Sequence, residues 1–210
     1  MKNHQFIVVE GIDGSGKTNA CNVIQKILKK YNIKTIMVRE PGGTPIAENI
    51  RNIIKKKHKY ENIHKKTILL LMYAARMQLI ENIIQPSLKN NIWVISDRHD
   101  LSSYAYQGGG FKINNTLLTM LRKNILGSLR PDLTIYLDVL PGVAIQRILS
   151  RKKTDYFENK KLNFFIRTRN FYLKWIHKNN KKIFINANLK KNIVHQDIEN
   201  KFIQWIEKNI

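Results

Sequence analysis

The segment Phe6-Ile-Val-Val-Glu-Gly11-Ile-Asp13-Gly-Ser-Gly-Lys17-Thr18 joins a short apolar run to a glycine-rich turn. Phe6 to Val9 reads as a buried strand. Gly11 to Thr18 follows the spacing G-x-x-x-x-G-K-[ST] of a phosphate-binding loop. Gly11, Gly14 and Gly16 let the backbone curl so that several N–H groups converge on one phosphate, with Ile12, Asp13 and Ser15 completing the loop. Lys17 reaches the outer phosphates as a point charge, and the Thr18 hydroxyl can ligate Mg²⁺. The helix that follows adds its positive N-terminal end. The segment is read as a nucleoside-triphosphate site.

Beyond the loop, Val23, Ile24, Ile27 and Leu28 recur at helical spacing up to about Tyr31. Lys34 to Arg39 reads as a second strand. Thr44 and Pro45 read as the cap and first residue of a helix carrying Ile46, Ile50, Ile53 and Ile54. Thr67 to Ile84 reads as one long helix, apolar nearly all round from Ile68 to Met72 and therefore buried or at a subunit contact. Pro86 begins a short helical turn. Ile92 to Asp97, Leu133 to Asp138 and Lys182 to Ile185 read as further strands, and Asn115–Leu126, Pro141–Ser150, Asn163–Asn179 and Val194–Asn209 as helices. Gly108 to Gly110 reads as a mobile loop, and the charged stretch 147–161 as a lid. Strands alternating with helices predict an α/β domain with three α/β/α layers, a five-stranded parallel sheet and a site at the carboxyl ends of its strands.

Composition narrows the class. The chain has 210 residues, enough for one domain spanning 1–210 with its own core. No apolar run reaches the roughly 18 residues of a membrane span, and the N-terminus leaves no room for a signal peptide. Cys21 is the single cysteine, so an internal disulfide is excluded and a reducing, cytoplasmic setting is expected. The net charge of +22 invites a nucleic-acid reading. Its Lys pairs are scattered, however, and aromatics are not interleaved with them as a stacking platform requires. Nucleic acid is not expected as a partner.

Asp97-Arg98-His99 closes an apolar strand. A carboxylate there can hold Mg²⁺ directly or through water, and Arg98 can grip a phosphate with its fork. The plain alternative is an Asp–Arg ion pair at a strand end. Taken alone, His99 reads as structural, Arg51 as an exposed helical arginine, and Tyr104 and Tyr106 as core or loop aromatics.

Arg39-Glu40-Pro41-Gly-Gly-Thr44, Tyr73-Ala-Ala-Arg76, Asp97-Arg98-His99 and Ser102-Ser103-Tyr-Ala-Tyr106-Gln107-Gly-Gly-Gly110 stand in an order that resembles bacterial thymidylate kinases. Arg130-Pro-Asp-Leu, Phe164-Phe-Ile-Arg-Thr-Arg169 and Tyr172 extend the resemblance over nearly the whole chain. It implies transfer of the γ-phosphoryl of ATP to the 5′-phosphate of dTMP, with Mg²⁺, in a homodimer. Lys17 and the loop amides would hold the donor phosphates, with Thr18 and Asp97 on the metal. Asp13 resembles the carboxylate near the sugar 3′-OH. Arg51 and Arg98 resemble the pair on the dTMP phosphate. Arg76 resembles the arginine that hydrogen-bonds thymine O4, Ser103 the residue facing N3, and Tyr106 the aromatic beneath the sugar. Glu40, Pro41, Met72 and Gln107 complete that acceptor site.

One branch of the family carries its mobile arginine in the phosphate loop, where this chain has Gly14. The other places it in the lid, which Arg151 matches, with Arg147 as a helper. The chain departs from the family pattern at Met72, where Phe is usual, and at Leu149 and Tyr156, where arginine is common. The rival readings are a kinase for another nucleoside monophosphate and a nucleic-acid-stimulated P-loop ATPase.

Overall fold

The computed structural model describes residues 4–56, 58–150 and 156–209. Its strands are β1 (Phe6–Glu10), β2 (Thr35–Arg39), β3 (Trp93–Asp97), β4 (Leu133–Asp138) and β5 (Lys182–Asn186), all parallel in the order β2-β3-β1-β4-β5. The helices are α1 (Lys17–Lys30), α2 (Pro45–Lys55), α3 (Lys65–Leu79), α4 (Gln85–Lys89), α5 (Asp100–Ser103), α6 (Asn115–Leu126), α7 (Pro141–Leu149), α8 (Leu162–Lys178) and α9 (Lys191–Asn209). This is the expected three-layer α/β fold with five parallel strands.

Alternation along β1 shows why the sheet is covered on both faces. Ile7 and Val9 belong to the core shared with Ile24 of α1 and Phe202 of α9, while Phe6 and Val8 belong to the core shared with Leu69 of α3 and Leu118 of α6. A parallel strand buried on both sides has no polar face, and so its sequence is a continuous apolar run. Asp132 fixes where β1 begins, accepting the Phe6 N–H at 2.9 Å. Thr44 caps α2 by accepting the Ala47 N–H at 3.2 Å, with Pro45 at the first helical position.

Two expectations change. The helical run beginning at Lys65 does not stop at Ile84. It widens to a π-turn over Ile80–Ile84 and continues through α4. Pro86, with no N–H to give, lies just past the widened turn, where the ordinary ladder is already relaxed. The whole run Lys65–Lys89 is long and apolar enough by composition to cross a membrane. In the fold Ile68, Leu69 and Leu79 of this run are fully buried, while Leu70 and Met77 are exposed.

The triple glycine is not a mobile loop. Tyr104–Gly110 forms a second π-turn continuing α5 and lying against α8. A Cβ on Gly110 would stand 2.5 Å from Phe164 Cε2, and one on Gly109 2.9 Å from Phe171 Cβ. Arg167 closes the contact by donating from Nη2 to the Gly110 carbonyl at 2.9 Å. These glycines are small so that two helices can touch. Of the lid stretch, 151–155 lie outside the described residues, and Tyr156 to Lys160 form turns in which the Tyr156 ring stacks on Phe111 and the Lys160 ammonium stands 3.7 Å from the centre of the Tyr156 ring.

Candidate active site

The order of the sheet places the loop after β1 beside the end of β3. Val9 pairs with Asp97, and the Arg98 N–H donates to the Val9 carbonyl at 2.9 Å. The Thr18 hydroxyl donates to Asp97 Oδ2 at 2.8 Å, so the two oxygens expected on a cation are neighbours. Mg²⁺ characteristically takes one or two protein oxygens and fills the rest of its octahedron with water and substrate phosphates. This pair suits such an ion.

The loop is shaped by its glycines. Gly14 has φ +81°, and a Cβ there would stand 2.5 Å from the Ala144 carbonyl of α7. An arginine at this position would need α7 to move. Lys17 is 8% exposed and donates to the Ile12 carbonyl at 3.0 Å, with Asp13 at 4.0 Å. Burial, reinforced by the Arg98 charge and opposed by Asp13 and Asp97, pulls the Lys17 ammonium from its ordinary 10.5 to about 8.

Asp13, Arg98 and Tyr106 form a closed cluster. The Asp13 N–H donates to the Tyr106 hydroxyl at 2.9 Å, and that hydroxyl donates to Asp13 Oδ2 at 2.8 Å. Arg98 pairs with Asp13 through Nη2 and donates from Nη1 to the Gly11 carbonyl at 2.9 Å. Burial alone would raise the Asp13 carboxyl, but Arg98, Lys17 and the Tyr106 hydroxyl outweigh it and hold it well below the carboxylate range. Arg98 has φ +75°, a left-handed conformation costly for a non-glycine residue. That turn swings the guanidinium back over the loop, against the Tyr106 ring at 4.8 Å.

Arg76 anchors the other end. It is 3% exposed. Its Nε donates to Glu40 at 2.7 Å, and Nη2 donates to the Ser103 hydroxyl at 3.0 Å and the His99 carbonyl at 3.2 Å. Nη1 has no hydrogen-bond partner. Burial would lower the Arg76 and raise the Glu40 pKa, but their mutual charge reverses both, keeping the pair ionised. Arg51 donates to the Pro41 carbonyl at 2.6 Å and thereby faces the same space. Gln107 is 1% exposed, and its Nε2 is also unpartnered.

Every residue expected at the acceptor lines one cavity of about 780 Å³, and Gly14, Gly16, Lys17 and Thr18 wall the same cavity. Gly11, Ile12 and Ser15 of the loop are buried and do not line it. Arg147 stands elsewhere. Its Nη1 donates to the Ala187 carbonyl at 2.8 Å and the Gly14 carbonyl at 3.4 Å, with Nη2 near the Leu189 carbonyl. It therefore fastens the 187–189 segment to the phosphate loop, with its fork held by backbone acceptors. Arg151 lies outside the described residues.

Sequence reasoning missed three contributors. Phe157 lines the cavity and meets the Tyr106 ring edge-on at 5.8 Å; its only signal was an apolar Tyr-Phe pair within a charged stretch. His99 Nδ1 faces Glu40 at 2.8 Å and thus supports Arg76. Glu10, fully buried, accepts from the His99 N–H at 2.9 Å and from the hydroxyls of Ser102 and Tyr172 at 2.7 and 2.9 Å. Burial pushes its carboxyl up. Nothing in its strand-end position announced that bracing role.

A family model described as Thymidylate kinase matches residues 9–198. A thymidylate kinase of Buchnera aphidicola subsp. Acyrthosiphon pisum (strain APS) is 52% identical over 211 residues, covering all of both chains. One from Wigglesworthia glossinidia brevipalpis is 42% identical, again over all of both chains. One from Vibrio campbellii (strain ATCC BAA-1116) is 44% identical over 98% of this chain and 99% of its own.

Proposed function

Because the chain belongs to the thymidylate kinase family and phosphorylates dTMP at the expense of ATP, we propose how its residues divide that work. The observation that carries the proposal is the unpartnered, buried Nη1 of Arg76 at one end of a cavity whose other end is the phosphate loop. Thymine O4 is an acceptor, and cytosine presents an amino donor at the same place. A buried donor with no protein partner therefore favours thymine and leaves cytosine with two opposed donors. Ser103, whose hydroxyl accepts from Arg76 Nη2, meets N3. Met72 covers the ring face with a flexible thioether where a rigid aromatic is usual.

At the phosphate end, Arg51 and Arg98 take the acceptor phosphate, and Lys17 with the loop amides takes the donor. Thr18 and Asp97 hold Mg²⁺, which neutralises donor phosphate charge when bound. Asp13, kept ionised, orients the sugar and Arg98 together. Tyr106, pinned to Asp13, fills the space that a ribose 2′-OH would need. Arg151 serves as the cation over the γ-phosphoryl. The enzyme works as a cytoplasmic homodimer, through the apolar face on which Leu70 and Met77 of α3 are exposed.

Calorimetric titration tests the base assignment. The wild-type protein binds dTMP well above dCMP, and Arg76→Met narrows that preference by on the order of tenfold or more, as for a lost buried hydrogen bond. An unchanged preference in the variant removes Arg76 as the selector.

A further inference from the structure

A second cavity, of about 290 Å³, is walled by His99, which also lines the acceptor cavity, and by Asp100, which does not. Its size is at the lower end of the roughly 300–1,000 Å³ typical of small-molecule sites. Leu126, Trp175, Phe171 and Tyr104 give it an apolar wall, the last two stacked at 6.2 Å. Two guanidiniums stand at it. Arg122 Nε lies 2.9 Å from Asp100 Oδ2, and the group sits over the Tyr104 ring at 5.7 Å. Arg130, from the Arg-Pro-Asp segment, donates only to the Gly127 and Leu129 carbonyls and meets no carboxylate among the described residues.

The acids of the cavity are already engaged, Glu10 by the network described above and Asp100 by Arg122 and the Tyr73 hydroxyl at 2.7 Å. The His99 ring, 1% exposed, turns Nδ1 toward Glu40 and leaves Nε2 without a partner. An apolar slot with an uncompensated guanidinium at its rim and an unpartnered ring nitrogen in its wall suits a flat apolar body carrying one carboxylate.

Asp100 links this cavity to base recognition. Its Oδ2 faces Arg122, and its Oδ1 lies 3.9 Å from Arg76 Nη1. A ligand carboxylate that draws Arg122 away frees Asp100 to engage Nη1, the donor assigned to thymine O4. We propose that this cavity binds a small aromatic carboxylate and that its occupation weakens dTMP binding. The second half rests on the assignment of Arg76 above.

The test uses 4-fluorobenzoate as the probe, followed by fluorine NMR on the full chain, with dTMP affinity measured at rising probe concentration. The expected result is saturable probe binding and a severalfold rise in the dTMP Kd, matched by an equal effect of dTMP on the probe. Arg130→Met and Thr119→Trp, changes at exposed positions on the cavity wall, abolish probe binding and leave turnover without probe unchanged. Absence of binding overturns the proposal, as does binding that both variants retain, which places the probe elsewhere. Binding lost in the variants but without effect on the dTMP Kd overturns the coupling. Failure of the Arg76 reading shows up separately, as a dTMP-over-dCMP preference that Arg76→Met leaves intact while the probe still binds.

Discussion

Arg76 and Lys17 are buried cations held under different constraints, and each makes its own prediction. Arg76 shares a buried ion pair with Glu40, so Arg76→Met leaves that carboxylate facing only His99. The expected cost is about 3 kcal/mol, the lower end for a broken buried pair because His99 remains. Chemical denaturation checks it. Lys17, by contrast, titrates at about 8 in the fold against an ordinary 10.5. Between those values the unfolded chain binds more protons, so this group makes stability rise with pH across that window and imposes its full penalty below it. Donor phosphates restore the ammonium. ATP binding at about pH 9 should therefore take up a fraction of a proton, measurable by calorimetry in buffers of different ionisation enthalpy. Lys17→Met should abolish that uptake, and equal uptake by the variant would contradict the assignment.

Elements position these residues through close backbone approach. Gly110 touches Phe164 of α8, so Gly110→Ala should lower stability by about 1–3 kcal/mol through overpacking. It should also lower dTMP affinity, since the same π-turn carries Tyr106 and Gln107; thermal unfolding and dTMP titration measure the two effects. Gly14, packed against the Ala144 carbonyl at φ +81°, bears on the lid. Arg151→Ala should cut turnover by about 10³ with little change in dTMP affinity, as for loss of a cation on the transferring phosphoryl. Gly14→Arg should not rescue it, because the loop cannot accept a side chain there. Single-turnover kinetics that show rescue would contradict this.

The strands, the phosphate loop and the Thr44-Pro45 cap were legible because each has a local cause: continuous apolar runs, glycine spacing, a capping hydroxyl. The π-turns were not, since a widened helix has the same periodicity as an ordinary one over so few residues. The glycine triplet was misread for a related reason. Glycine serves both turns and close packing, and only the facing Phe164 and Phe171, more than fifty residues on, decide between them. Arg147 matched a sequence position, but its carbonyl partners on segment 187–189 are set by the tertiary fold.

At the scale of the whole molecule, the parallel sheet brings β1 and β3 side by side and delivers one cavity running from the glycine loop to Arg76. Among the exposed large apolar side chains, Leu70 and Met77 lie on α3, the helix that carries Arg76. Leu70→Glu should yield a monomer in sedimentation velocity, and an unchanged sedimentation coefficient would place the dimer contact elsewhere or remove it. The charge of +22 is spread over the exposed faces of many elements.

The most direct test of the account is a coupled ADP-release assay with Mg-ATP, comparing dTMP, dUMP, UMP, dCMP and dGMP as acceptors. Turnover with dTMP far above UMP and dCMP is the predicted result, with Arg76 reading the base and Tyr106 the sugar. Equal use of dCMP or UMP would contradict those assignments, and hydrolysis stimulated by nucleic acid without acceptor dependence would contradict the kinase reading itself.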